Sequence, residues 1–115
     1  MRAVAREILL AFWKVHILPH AGSAPLHGFW MLDELAGHGY RVSPGTLYPI
    51  LRRMERNGWL RASGGGGRAR RNYRLTARGR WVLEVIQANV AELHREVVGA
   101  SPARRRRTHR AKGGR

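Results

Sequence analysis

The chain has 115 residues, 43% of them hydrophobic, and its 22 basic residues against 7 acidic ones give a formal charge of +15. That length is one domain with a modest core, and that charge calls for a polyanionic partner, nucleic acid before membrane. The lack of cysteine excludes disulfides, thiolate zinc sites and a cysteine nucleophile; no apolar run approaches the ~18 residues of a membrane span, and no signal-peptide layout opens the chain, so the expected location is cytoplasmic and nucleoid-associated.

Residues 2–18 read as a helix. Ile8, Leu9, Leu10, Ala11, Phe12 and Trp13 make it apolar on every side, so more than one neighbour must cover it. In so short a chain the natural second cover is another copy, which puts Ile8, Phe12 and Trp13 at a dimer interface. Pro19 is expected to stop this helix. Ser23, Ala24 and Pro25 are expected to begin a second helix reaching about Ala36, packed through Gly28, Met31, Leu32 and Leu35. Trp30, Asp33 and Glu34 point away, and a tryptophan there is either half-covered by its neighbours or part of a protein contact. The glycine-bearing turn 37–42 leads into a third helix, which makes a helix-turn-helix arrangement.

The third helix, residues 44–57, has Ser43 as its candidate cap and Pro44 in first position. Asn57-Gly58 supplies a left-handed stop. Leu47, Ile50, Leu51 and Met54 fall at i, i+3, i+4, i+7 and make one apolar stripe. Opposite them stand Gly45, Pro49, Arg52 and Arg56, flanked by Tyr48 on one side and Thr46 and Arg53 on the other. No acid lies on that face. A small leading turn (Pro44, Gly45, Thr46) can approach a duplex closely, and arginines beyond it can take guanine edges or phosphates. The bland alternative is a solvated surface helix. Pro49 argues against it, because a proline inside a helix costs about 3 kcal/mol and local rules are broken most often at functional sites.

Residues 59–63 and 72–75 alternate as two short strands flanking Gly64-Gly65-Gly66-Gly67-Arg68-Ala69-Arg70-Arg71, a hairpin with a charged, glycine-rich tip. Arg68, Arg70 and Arg71 suit backbone phosphates or a minor groove; the alternative is a solubilising linker. Neither a Walker pattern nor GxGxxG is present to cradle a nucleotide. Thr76 is placed to cap a fourth helix, residues 77–98, striped by Val82, Ile86, Val90, Leu93 and Val97 and widened by Trp81, Val85 and Ala88. A partner subunit is the expected cover, the alternative being that the helix folds back on the first. From residue 99 the chain has no apolar periodicity and seven basic residues, which predicts a disordered tail that holds DNA non-specifically. Charge is segregated: the stretch 56–83 has eight arginines and no acid, while Glu84, Glu92 and Glu96 follow it.

The expected fold is therefore mainly α with a small β-hairpin. A winged helix-turn-helix domain would occupy residues 1–75, a C-terminal dimerisation helix residues 76–98, and the basic tail residues 99–115.

Three strings carry a family resemblance. LHGFWMLDEL (residues 26–35), VSPGTLYPILRRMERNGWL (42–60) and GRARRNYRLTARGR (67–80) resemble the second-helix, recognition-helix and wing segments of PadR-like transcriptional regulators, and the SPGTLYP string is specific. The resemblance implies a winged helix-turn-helix head and a dimer built through one C-terminal helix, with the first helix contributing. It places the DNA-facing set on Ser43, Pro44, Gly45, Thr46, Tyr48, Pro49 and Arg52, and on Arg68, Arg70 and Arg71 in the wing. Trp30 departs from the family's usual polar residue, and the glycine run and arginine tail look peculiar to this chain.

Rival chemistries are weaker. His16 and His20 have chelating i, i+4 spacing and with His27 form the best metal trio, although Pro19 falls between the first two. Trp13 and Trp81 could wall a cleft for a small aromatic effector, with ordinary core as the alternative. The seven carboxylates sit at salt-bridge spacings and make no acid/base pair for an enzyme. A basic RNA-binding or ribosome-associated protein would want an aromatic stacking platform, for which Tyr73 is the sole candidate. The reading is a homodimeric, sequence-specific regulator of an inverted-repeat DNA operator, a repressor released by a small effector. It requires no cofactor, a divalent metal or an aromatic compound being the effector candidates.

Overall fold

A computed structural model of the chain describes residues 2–64 and 71–99, with side chains from residue 5 onward. Two compact units divide the chain, one ending at Leu83 and the next beginning at Glu84. The first holds the helix-turn-helix and its sheet. The described part of the second is the remainder of the last helix, where every side chain from Gln87 onward is exposed.

Helix α1 spans Arg2–Ser23 and continues through Pro19, against the expected stop. A proline removes one helical hydrogen bond, and packing in the following turn offsets that loss. Ala21 is buried there, Gly22 leaves room for Leu75, which would lie 3.1 Å from a Cβ at that position, and the Ser23 hydroxyl donates back to the Pro19 carbonyl at 3.1 Å.

The expected start of the second helix is corrected as well. Leu26–His27 forms a short strand, β1, and α2 spans Gly28–Gly37. Glycine permits the close packing at that start, because a Cβ on Gly28 would lie 2.6 Å from the Tyr48 ring. The end of α2 is a left-handed Gly39 with φ +90, where Gly39 N–H bonds to Ala36 and Tyr40 N–H to Leu35. That pair of bonds satisfies two terminal carbonyls.

Helix α3 spans Pro44–Arg56 and stops in the same way. Gly58 has φ +82, its N–H bonds to Glu55, and the Trp59 N–H bonds to Met54. Strands β2 (Leu60–Ser63) and β3 (Asn72–Leu75) pair antiparallel, and β1 adds to the other side of β3 in the order β1-β3-β2. Alternation in the sequence predicts two of these strands and not the two-residue β1.

Helix α4 spans Ala77–Val97. Thr76 caps it, its Oγ1 accepting from the Gly79 N–H at 2.9 Å while donating to the Gly58 carbonyl. Gly79 lets α4 cross the chain closely, since a Cβ there would lie 2.1 Å from the Trp59 carbonyl oxygen. The core of the head includes Trp13, Ile17 and Leu18 of α1, Leu26 of β1, Met31 and Leu35 of α2, Leu47, Ile50, Leu51 and Met54 of α3, Leu60 and Tyr73 of the other two strands, and Leu83. Among the described residues no helix is long and apolar enough to cross a membrane.

Candidate nucleic-acid interface

The two sides of α3 differ completely. Leu47, Leu51 and Met54 are fully buried and Ile50 nearly so, as the stripe requires. Pro44, Gly45, Pro49, Arg52, Arg53 and Arg56 are exposed, and Thr46 is half-buried. Arg53 and Arg56 fall in the last turn, where cations also favour the helix dipole, so they contribute to the helix whether or not they meet a ligand. Pro49 lies on the solvent side, and having no N–H it leaves the Gly45 carbonyl without its helical donor.

The leading turn is held together by hydroxyls. Ser43 occupies the cap position with an extended backbone but makes no side-chain cap bond. Its Oγ donates to Thr46 Oγ1 at 3.3 Å, and Arg6 of α1 donates to that same oxygen at 3.3 Å. No local sequence pattern marks Arg6 for this contact, which spans forty residues.

One candidate residue is corrected, and another has partners within the fold. Tyr48, expected on the exposed flank, is 3% exposed. Its ring lies under Gly28 and meets Phe29 edge-on at 6.1 Å. The missing side chain at position 28 opens the pocket that draws the ring inward, so Tyr48 orients α3 against α2. Arg71, expected to meet phosphate, is half-buried. Its Nη2 lies 3.5 Å from Glu55 Oε2 and its guanidinium 6.0 Å from the Tyr73 ring centroid. It ties the base of the hairpin to α3. Burial pushes the Tyr73 phenol above its ordinary pKa, with the Arg71 charge opposing. Arg68 and Arg70 lie outside the described residues.

A helix-turn-helix whose second helix is followed by a hairpin and then a long helix has clear relatives. Residues 17–85 match the transcriptional regulator PadR-like family. The chain belongs to that family. It is 49% identical over 96 residues to transcriptional regulator Rv3488 of Mycobacterium tuberculosis, covering 82% of this chain and 90% of that protein. Among solved structures, a PadR family transcriptional regulator from Eggerthella lenta is 28% identical with a TM-score of 0.63, covering 80% and 87% of the two chains. A PadR-like transcription factor from Bacteroides fragilis superposes with a TM-score of 0.70 at 24% identity, over 83% and 95%. PadR-like proteins are transcription factors and not enzymes, and this chain is a transcriptional regulator of that kind.

The remaining candidates of this PadR-like regulator divide by burial. Ile8, Phe12, Trp81, Val85, Val90, Leu93 and Val97 are exposed large hydrophobics, while Val82 and Ile86 are half-buried. Trp13 is corrected as an interface residue: at 4% exposure, edge-on to Tyr40 at 6.2 Å, it belongs to the core of the head. Its place on an all-round apolar helix could not say which side the head would cover. Trp81, its proposed companion, is 64% exposed.

The metal trio is not brought together. His16 packs on His38 at 5.1 Å between ring centroids, and His20 Nε2 lies 3.3 Å from Glu34 Oε2. His27 stands on β1 opposite Asn72. Among the described residues no group of three His, Asp or Glu side chains is placed to hold a metal ion. Trp30 is 47% exposed and meets His20 edge-on at 5.1 Å.

Proposed function

We propose that this chain is a homodimeric repressor of an inverted-repeat operator, each subunit laying α3 in a major groove. The observation that supports this most directly is the division of α3 into a wholly buried apolar side and an acid-free exposed side carrying Arg52, Arg53 and Arg56. Pro44, Gly45 and Thr46 let the leading turn approach the duplex, Arg52 reads a base edge, and the wing arginines hold flanking backbone. The exposed apolar residues of α4, from Trp81 through Val97, with Ile8 and Phe12 of α1, supply the two-fold contact. Two half-sites centred about 34–36 Å apart follow from that symmetry.

The dimerisation role of residues 76–98 and the DNA-binding role of the head are parts of the same reading. A small effector would act by altering how α3 is presented. A shallow open depression lies beside its cap, lined by Leu32, Asp33, Ala36, Tyr40, Arg41, Val42 and Ser43.

Selection of bound genomic fragments, followed by fluorescence anisotropy on the selected operator, tests the reading. Arg52→Ala is expected to cost about 1–3 kcal/mol on the operator and to relax specificity at one position. Unchanged affinity of that variant for operator and random duplex alike would overturn the groove assignment. Preference for structured RNA over duplex DNA would favour the rival class.

A further inference from the structure

The register of the hairpin places Arg61 of β2 directly opposite Arg74 of β3. Both are exposed, and among the described residues neither side chain has an ion-pair or hydrogen-bond partner. Like charges directly opposite each other weaken a strand pair. The hairpin itself supplies no compensating charge: residues 56–83 include no acid, and Glu55 is engaged by Arg71. Alternation turns Leu60 and Tyr73 to the buried side, so Arg61 and Ser63, with Asn72 and Arg74, line the outward one. That outward side is a basic and polar stripe leading from the end of α3 to the base of the wing.

We propose that Arg61 and Arg74 together bind a backbone phosphate of the same DNA duplex that α3 enters; this rests on the DNA-binding reading above. Two guanidinium groups carried by paired residues on the same outward face of the hairpin suit a single shared phosphodiester, which accepts several charge-assisted hydrogen bonds. A phosphate between them would offset the like-charge pairing. Continuity with the wing selects DNA backbone as the source of that phosphate. A contact of this kind carries no sequence information and adds affinity uniformly.

The test uses the full chain and the operator duplex. Arg61→Gln, Arg74→Gln and the double variant are titrated by fluorescence anisotropy across a salt series, beside Arg95→Gln as a matched charge change on the distal part of α4. Each single substitution is expected to reduce the salt slope by about one per arginine, equally on operator and random DNA. Its melting temperature should stay level or rise by about 1–5 °C, since a repulsive pair has been relieved. Arg95→Gln should leave the slope unchanged.

Wild-type slopes in the singles and the double would overturn the inference, as would a loss confined to the operator or a fall in melting temperature on removing one arginine. Lysine at either position keeps the charge, so a Gln variant that fails to fold can be replaced by Arg61→Lys or Arg74→Lys. These should keep the slope and weaken affinity several-fold through loss of the planar fork; undiminished affinity would overturn the shared-phosphate geometry. Arg52→Ala, run in parallel, separates the two readings. If it loses operator affinity while the hairpin variants behave as wild type, the phosphate site alone is wrong. If it binds as wild type, the placement of α3 is wrong.

Discussion

Replacing Gly28 with alanine tests how α3 is oriented. The added methyl would lie 2.6 Å from Tyr48 Cε1, 2.7 Å from its hydroxyl oxygen and 2.8 Å from Cζ, well inside the 3.4–4 Å of ordinary contact. The ring has little freedom to retreat, being 3% exposed with Phe29 against it. Overpacking of this kind costs about 1–3 kcal/mol, offset by at most about 1 kcal/mol from the better helix propensity of alanine. At about 4–8 °C per kcal/mol, a net loss of about 1–2 kcal/mol lowers the melting temperature by roughly 5–15 °C.

Because Tyr48 belongs to α3, the displacement reaches the arginine face, so operator affinity should fall with stability. Thermal denaturation followed by circular dichroism, with anisotropy on the operator, measures both. Gly37→Ala is the control. Nothing lies within 4 Å of a Cβ there and its φ is not positive, so alanine should stabilise by about 0.4–1 kcal/mol. In a Tyr48→Leu background the clash has no ring to meet, and the Gly28→Ala penalty should shrink by about 0.5–3 kcal/mol. A Gly28→Ala protein as stable as wild type would refute the claim that this glycine seats Tyr48.

Acid should destabilise the head through His16, whose pKa is held below 6.5 by burial first and then by His38 and His20, with Glu34 opposing. Such a group binds its proton more weakly folded than unfolded. Stability is therefore full above about pH 7.5 and falls as pH drops through 6.5, levelling off below the folded pKa. Melting curves between pH 8 and 5 should be flatter for His16→Gln; parallel curves would remove His16 as the cause. Arg71→Ala should cost about 0.5–1.5 kcal/mol through its partly solvated Glu55 pair and its Tyr73 contact, with Glu55→Gln reproducing part of that loss. An altered salt slope for DNA binding at unchanged melting temperature would make Arg71 a phosphate ligand instead. Leu93, 54% exposed on α4, should tolerate glutamate in a monomer but not in a dimer. Sedimentation of Leu93→Glu should give the monomer mass, and a persisting dimer would place the interface elsewhere.

Much of this molecule was legible without coordinates. The i, i+3, i+4, i+7 spacing of Leu47, Ile50, Leu51 and Met54 identified the buried side of α3, and all four are core. Helical periodicity is a local property, and so are the proline at the helix start, the Asn-Gly stop and the Thr76 cap. Each depends on residues within one or two turns, and the chain itself brings them together.

What escaped the sequence was decided between elements. Tyr48 lies on the edge of the stripe, and whether an edge residue is buried depends on a glycine twenty positions earlier. Trp13 sits on a helix apolar all round, so the head chose the side it would cover. The charge and loop that recommend Arg71 for phosphate do not reveal Glu55 and Tyr73, which become its neighbours only after the hairpin docks on α3. The two-residue strand β1 is too short to alternate, and it exists because β3 offers it an edge. Local rules fix a residue's angle about its own helix or strand axis; contacts across the fold fix what waits at that angle.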